Sequence, residues 1–330
     1  MSAPGPVMWL TGEYPRATDT FIQREVAALR ALGVTVETAS GRRTDPSHHV
    51  GPEQRAEAAA TFHLLETALH PWRMTCAKLS ALRHPHRFAR ALALAWRTAP
   101  KGLRGRIYNL VYFGEALVLA HRMKARGITH LHNHIAKSSG TVAMLAAEIA
   151  DLPHSFTLHG PDIFFAPEHW ALGEKIARAS FVACISDFAR SQAMLFSDPA
   201  HWHKLHVVHC GVDPALYAKA RSTPEDRLLF VGRLSAVKGV AVLLHALAQA
   251  QRHAIRTVVE ALFDPGAQRQ DAYGIANLLV GADFGEPVDI VPFHPAADGE
   301  ALADLAVDHG ADDILVGPGL AALFNLDFEA

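Results

Sequence analysis

The chain has 330 residues, half of them hydrophobic, and a formal net charge of −2. That length makes two domains with sizeable cores, and a near-neutral total gives no electrostatic reason to expect a nucleic-acid partner. Three widely spaced cysteines, Cys76, Cys184 and Cys210, exclude a disulfide framework and fit a reducing compartment.

Taken in order, residues 7–10 form a short apolar strand that runs into Thr11 and Gly12. A helix starts near Thr20, where Thr20 and Gln23 have capping-box spacing, and Gly33 is a natural residue to follow its end. Residues 34–38 make a second strand, giving the strand–helix–strand opening of a Rossmann-like domain. A single Gly12 is not the G-x-G-x-x-G of a dinucleotide site. Residues 41–70 read as a polar loop and a helix.

The segment 71–106 holds nine basic residues, from Arg73 to Arg106, and no acid. Interleaved with Trp72, Leu79, Phe88 and Trp96, they predict either a helical surface that meets an anionic membrane or a solvated helix face over an ordinary core. Unopposed like charge favours the membrane.

Residues 128–134 form a strand with His130, His132 and His134 on alternate positions, hence on one face. Such imidazoles can converge on a metal or simply hydrogen-bond. No acid lies in the run or in the ten residues after it, and no metal is expected. A helix over 138–150 and a strand over 154–158 follow. That strand ends in His159, beside a Gly-Pro turn and Asp162, at the edge where open α/β sheets bind ligands. Another strand spans 181–185 and leads to Ser186, a helix cap. A last short strand covers 205–208.

Residues 214–226 make a linker, after which 228–232 is a buried strand ending at Gly232. The following loop carries Arg233 and Lys238 just before a helix. Alone, these are either two solvated cations or a clamp for a diphosphate, since a planar guanidinium and a mobile ammonium beside a helix N-terminus suit phosphate oxygens. Beyond residue 255 the charge reverses, with only Arg256 and Arg269 against 14 acids. Apolar runs at 276–280, 288–293 and 313–316 still look like strands.

Several of these pieces together resemble one family. Tyr14-Pro15-x-x-Thr18-x-Thr20-Phe21, His132-Asn133-His134, Ser155 to His159 with Gly160-x-Asp162-Ile163, Ala183 to Ser186, His206 to Asp213, and Leu229 to Leu234 with Lys238-Gly239 are similar to segments of the family-four retaining glycosyltransferases of the GT-B fold. The likeness is to the branch that builds colanic acid and related exopolysaccharides, and it covers roughly residues 5–253. It implies an α/β chain of two Rossmann-like domains, 1–213 on the acceptor side and 227–330 on the nucleotide-sugar side. The second domain is incomplete or divergent, being atypical after about residue 255. It implies that Arg233 and Lys238, with Gly232, neutralise the donor's diphosphate, and that His159 steadies the reacting sugar. Ser186 joins the donor-binding residues in a secondary place, and Gly12, Asp162 and His134 become lesser cleft residues; a helix cap and a turn former remain open for Ser186 and Asp162. The donor is a nucleotide diphosphate sugar, the acceptor a saccharide or lipid-linked saccharide, and no cofactor is implied.

One departure stands out. The family's donor domain carries a Glu-x7-Glu pair, and no such pair exists in residues 256–330. A catalytically inactive relative is therefore the second reading, and a metal-dependent hydrolase built on the histidines the third. With no basic-then-apolar leader and no spanning apolar run, the expected place is the cytoplasm, on the inner face of the membrane where 71–106 would hold it.

Overall fold

The computed structural model describes residues 5–17, 19–49, 51–160, 162, 166–211, 227–232, 239–243, 246, 256–262 and 289–293. Arg233 and Lys238, the 214–226 linker and the runs at 276–280 and 313–316 lie outside the described residues. The chain divides into two units, Met1–Pro214 and Ala215–Ala330.

In the first unit, β1 (Val7–Glu13) is apolar on both faces, as a strand must be when helices cover both sides of a parallel sheet. Helix α1 (Thr20–Ala31) follows, and then β2 (Val36–Arg42). The expected capping box is absent: Gln23 Nε2 donates to the Arg16 carbonyl at 2.8 Å and its oxygen accepts from Gln54 at 3.1 Å, so the side chain braces the β1–α1 loop instead. Gly33 takes the left-handed φ of +83° that ends the helix. The Val34 amide then bonds back to the Leu29 carbonyl at 3.0 Å, which delays the second strand by two residues from the expected start.

Residues 41–70 fold into more than a loop and one helix. They give α2 (Pro52–Ala60), the two-residue strand β3 (Phe62–His63) and α3 (Leu64–Leu69). Then come α4 (Pro71–Leu82), α5 (Pro85–Arg97) and the long α6 (Leu103–Ala125). The remaining units are β4 (His130–His134), α7 (Ser138–Ala150), β5 (His154–Leu158), α8 (Leu172–Arg178), β6 (Phe181–Cys184), α9 (Asp187–Leu195) and β7 (Leu205–Val207).

The sheet is wholly parallel in the order β3-β2-β1-β4-β5-β6-β7. The winding direction reverses between β1 and β4, so a crevice opens at the carboxyl ends of those two strands. Strand alternation sorts the faces: Met8, Leu10 and Leu131 enter the core under α6 and α7, whereas Trp9 joins Ile22 and Val26 of α1.

The basic segment is partly neutralised from a distance. Arg87 pairs with Asp151 (2.7 Å), Arg97 with Glu174 (2.7 Å), and Arg90 with Glu148, so acids of the α7 and α8 region answer three of the nine cations. The expectation of wholly unopposed charge is corrected to that extent. No helix among the described residues is long and apolar enough to cross a membrane.

In the second unit the described strands are β8 (Arg227–Gly232), β9 (Arg256–Leu262) and β10 (Asp289–Phe293), parallel in the order β10-β9-β8. The strand β9 lies where sequence reasoning saw only a change of charge.

Candidate active site at the carboxyl edge of the first sheet

The three histidines of β4 share one face, as their spacing predicts, and they face Ser155 and Thr157 of β5. Ser155 Oγ lies 2.7 Å from His130 Nε2 and 2.8 Å from His132 Nδ1, while Thr157 Oγ1 is 3.0 Å from His132 Nε2. One hydroxyl has one proton, so one of the two rings must donate to Ser155. Both nitrogens of His132 are thereby occupied. Burial, and then the neighbouring histidines, push its pKa well down, and the ring is neutral.

His134 and His159 close the row at the strand ends. His134 Nδ1 and His159 Nε2 are 3.1 Å apart and both rings are buried. Burial and then His134 push the His159 pKa down to about 3, so His159 is a neutral ring held against His134. Phe21 of α1 packs on His159 with ring centres 4.9 Å apart, and Trp9 stacks on His132 at 4.2 Å. On its other side, His134 Nε2 comes within 3.2 Å of the Glu25 carboxylate without an aligned hydrogen bond.

Asp162 holds this edge in place. Its Oδ2 accepts from the His159 amide at 2.9 Å, closing the turn that aims the imidazole. Behind it the buried Lys175 of α8 donates to the carbonyls of Ala136 (2.6 Å) and Lys137 (2.8 Å), fixing the β4–α7 turn. Ile135 in that turn has φ +69°, a strained value for a β-branched residue, and the lysine's two bonds help keep it there. Burial drives both Lys175 and Asp162 towards their neutral forms, and the charge of each props up the other. Sequence reasoning missed Lys175, since nothing local marks a lysine in a surface-like helix as buried.

The expected residues therefore separate. His134, His159 and Asp162 come together. Gly12 lies near the end of β1 and lines a neighbouring cavity. Ser186 is a helix cap: its hydroxyl accepts from the Ala189 amide at 3.1 Å. Gly232 ends β8 in the second unit. Arg233 and Lys238 lie outside the described residues, so their clamp stays an expectation.

Glu25, His132 and His134 are the one group of potential metal ligands among the described residues, with ligand atoms all within 4.8 Å of one another. Their chemistry does not fit an ion. His132 has both nitrogens on hydroxyls and His134 has one on His159, which leaves one imidazole nitrogen and one carboxylate.

A second feature borders the crevice. Gly12, Arg42, Tyr112, Glu115, Lys137 and Ser138 are among the residues lining a cavity of about 210 Å³ at the ends of β1 and β2. Glu115 was not foreseen as a site residue, though it is the sole acid between residues 71 and 147.

No protein-family model and no curated protein sequence matches the chain. Its structure, however, is similar to a glycosyltransferase from Rickettsia africae ESF-5 over 90% of this chain and 69% of that one, with TM-score 0.52 and 11% identity. It is also similar to sucrose-phosphate synthase from Thermosynechococcus elongatus, with TM-score 0.54, 14% identity, and 89% of this chain and 72% of that one covered. The chain has a GT-B type α/β fold. At such identities the likeness is one of fold, and chemistry must be argued from the site.

Proposed function

We propose that this chain is a retaining sugar transferase of the family-four kind. It moves a sugar from a nucleotide diphosphate sugar to a saccharide acceptor, lipid-linked, in exopolysaccharide or cell-envelope polysaccharide assembly. The observation that carries the reading is the buried His134–His159 contact, with His159 held neutral, at the edge of a seven-stranded parallel sheet where its winding reverses. A neutral imidazole offers a hydrogen bond to a sugar hydroxyl without placing a fixed cation beside an oxocarbenium-like centre. The GT-B type fold supports the same reading.

His159 steadies the reacting sugar. Arg233 and Lys238 neutralise charge on the departing diphosphate, where cations lower the barrier because that charge grows towards the transition state. The protein works in the cytoplasm, held on the inner membrane face by the basic surface of 71–106, next to its lipid-linked acceptor. One sequence fact favours a second reading, an inactive relative: the donor-gripping Glu-x7-Glu pair is missing from residues 256–330.

The test is a transfer assay on the full chain with labelled UDP- and GDP-sugars and a lipid extract as acceptor. Label passes to the lipid fraction, and His159→Ala, Arg233→Ala and Lys238→Ala each abolish transfer with the fold intact. Transfer unchanged in these variants discards the assigned roles, and no transfer by the wild type favours the inactive relative.

A further inference from the structure

Glu115 is a polar residue in the wrong place for a structural part. It lies mid-way along α6 among Phe113, Ala116, Leu117 and Val118, and it is 5% exposed. It makes no hydrogen bond or ion pair with any described residue, and Arg42 is the one described cation whose charge bears on it. Leaving a carboxylate buried and unpaired costs several kcal/mol, so a chain keeps one where a ligand completes it. Its carboxyl group opens onto the 210 Å³ cavity beside Gly12.

The rest of the cavity supplies what the carboxylate lacks. The α7 N-terminus enters it at Lys137–Ser139, and Lys137 at the cap position makes no side-chain capping bond. Free amides there are donors. Arg42 adds a planar donor fork. Once Glu115 is ionised, above about pH 7, the charges lining the cavity balance, with Arg16, Arg42 and Lys137 against Glu13, Asp19 and Glu115. A balanced lining draws no net anion. Donors and acceptors brought together in a small space instead suit the hydroxyls of a ring. The volume is below the roughly 300–1,000 Å³ of sites for drug-sized ligands, which suits a single sugar unit.

We infer that this cavity is a binding site for one uncharged sugar ring, with the Glu115 carboxylate accepting from its hydroxyls and Arg42 and the α7 amides donating to them. In the transferase it is the subsite for the acceptor's terminal sugar. That placement rests on the proposed function; the binding itself does not.

The experiment is saturation-transfer NMR on the full chain, with no nucleotide present, using glucose, galactose and mannose as probes and inorganic phosphate as the anionic control. At least one monosaccharide binds and phosphate does not compete. Glu115→Gln weakens that binding at least tenfold. So does Gly12→Val, since an added Cβ at Gly12 meets no atom within 4 Å and the new side chain takes up cavity space without displacing the core. Circular dichroism confirms that both variants stay folded. Binding of none of the three sugars, displacement by phosphate, or binding unaltered in both folded variants overturns the inference. Failure of transfer or of donor binding, with monosaccharide binding intact, sinks the transferase reading and leaves this one standing.

Discussion

Ser186 and Glu115 show how single residues divide between holding the fold and meeting a ligand. Ser186 spends its oxygen on the Ala189 amide, so Ser186→Ala should cost about 1 kcal/mol in urea unfolding. If the cap is its whole role, nucleotide-sugar affinity should be unchanged; a loss of affinity without a loss of stability would assign it to donor binding instead. Glu115 behaves in the opposite way. Burial raises its pKa from 4.5 to about 7, opposed by Arg42, with Tyr112 the other titratable group near it. Between those two values the folded chain keeps a proton that the unfolded chain releases. Stability therefore falls as pH rises through that window, and the loss is complete above it. Glu115→Gln removes this slope. The variant should match the wild type near pH 4.5 and exceed it by up to about 3 kcal/mol at pH 8. A difference that is the same at both pH values would mean the carboxyl is not buried. A substitution that stabilises the fold and weakens sugar binding is the mark of a group kept for function.

At the scale of elements, the first half of α6 and the outer face of α4 present apolar side chains to solvent. Leu103 is 76% exposed and Trp72 71%, and Ile107, Leu110 and Val111 continue the α6 stripe. Around them Arg73, Lys78, Arg83, Lys101, Arg104 and Arg106 have no acidic partner among the described residues; Arg106 lies over the Trp96 ring at 4.5 Å. Each basic group near an anionic bilayer contributes about 1 kcal/mol, so changing Lys101, Arg104 and Arg106 together to Glu should weaken binding by at least about a hundredfold. Flotation with phosphatidylglycerol and phosphatidylcholine vesicles checks it; equal binding to both lipids, or to neither, removes the membrane from the account.

Elements of this kind were legible in sequence where local pattern decides them. The helix expected over 138–150 and the strand over 154–158 are Ser138–Ala150 and His154–Leu158, because the helical spacing of Thr141, Met144, Leu145 and Ile149, and the alternation of polar and apolar residues over 154–158, leave little choice. The strand Phe62–His63 is too short to carry a period of two. The partners of Arg87, Arg90 and Arg97 lie 58 to 77 residues away for the latter two and appear only once α7 and α8 are packed. His134 and His159 were each visible at a strand end, but their 3.1 Å bridge depends on β4 and β5 being neighbours in register. Lys175 and Glu115 escaped because burial of a charged residue is decided by tertiary contacts, although an isolated acid in a long acid-free stretch was there to be seen.

At the scale of the whole molecule, the first unit offers the neutral His159 and a sugar-sized cavity at its strand ends, and the sequence of the second unit offers Arg233 and Lys238 for a diphosphate. Calorimetric titration of the full chain with UDP-glucose, UDP-galactose, UDP-N-acetylglucosamine and GDP-mannose tests that claim most directly. The account predicts that at least one binds, and that Arg233→Ala and Lys238→Ala each weaken it at least tenfold. Heat-silent titrations across the whole panel, or equal affinity in wild type and both variants, would contradict it.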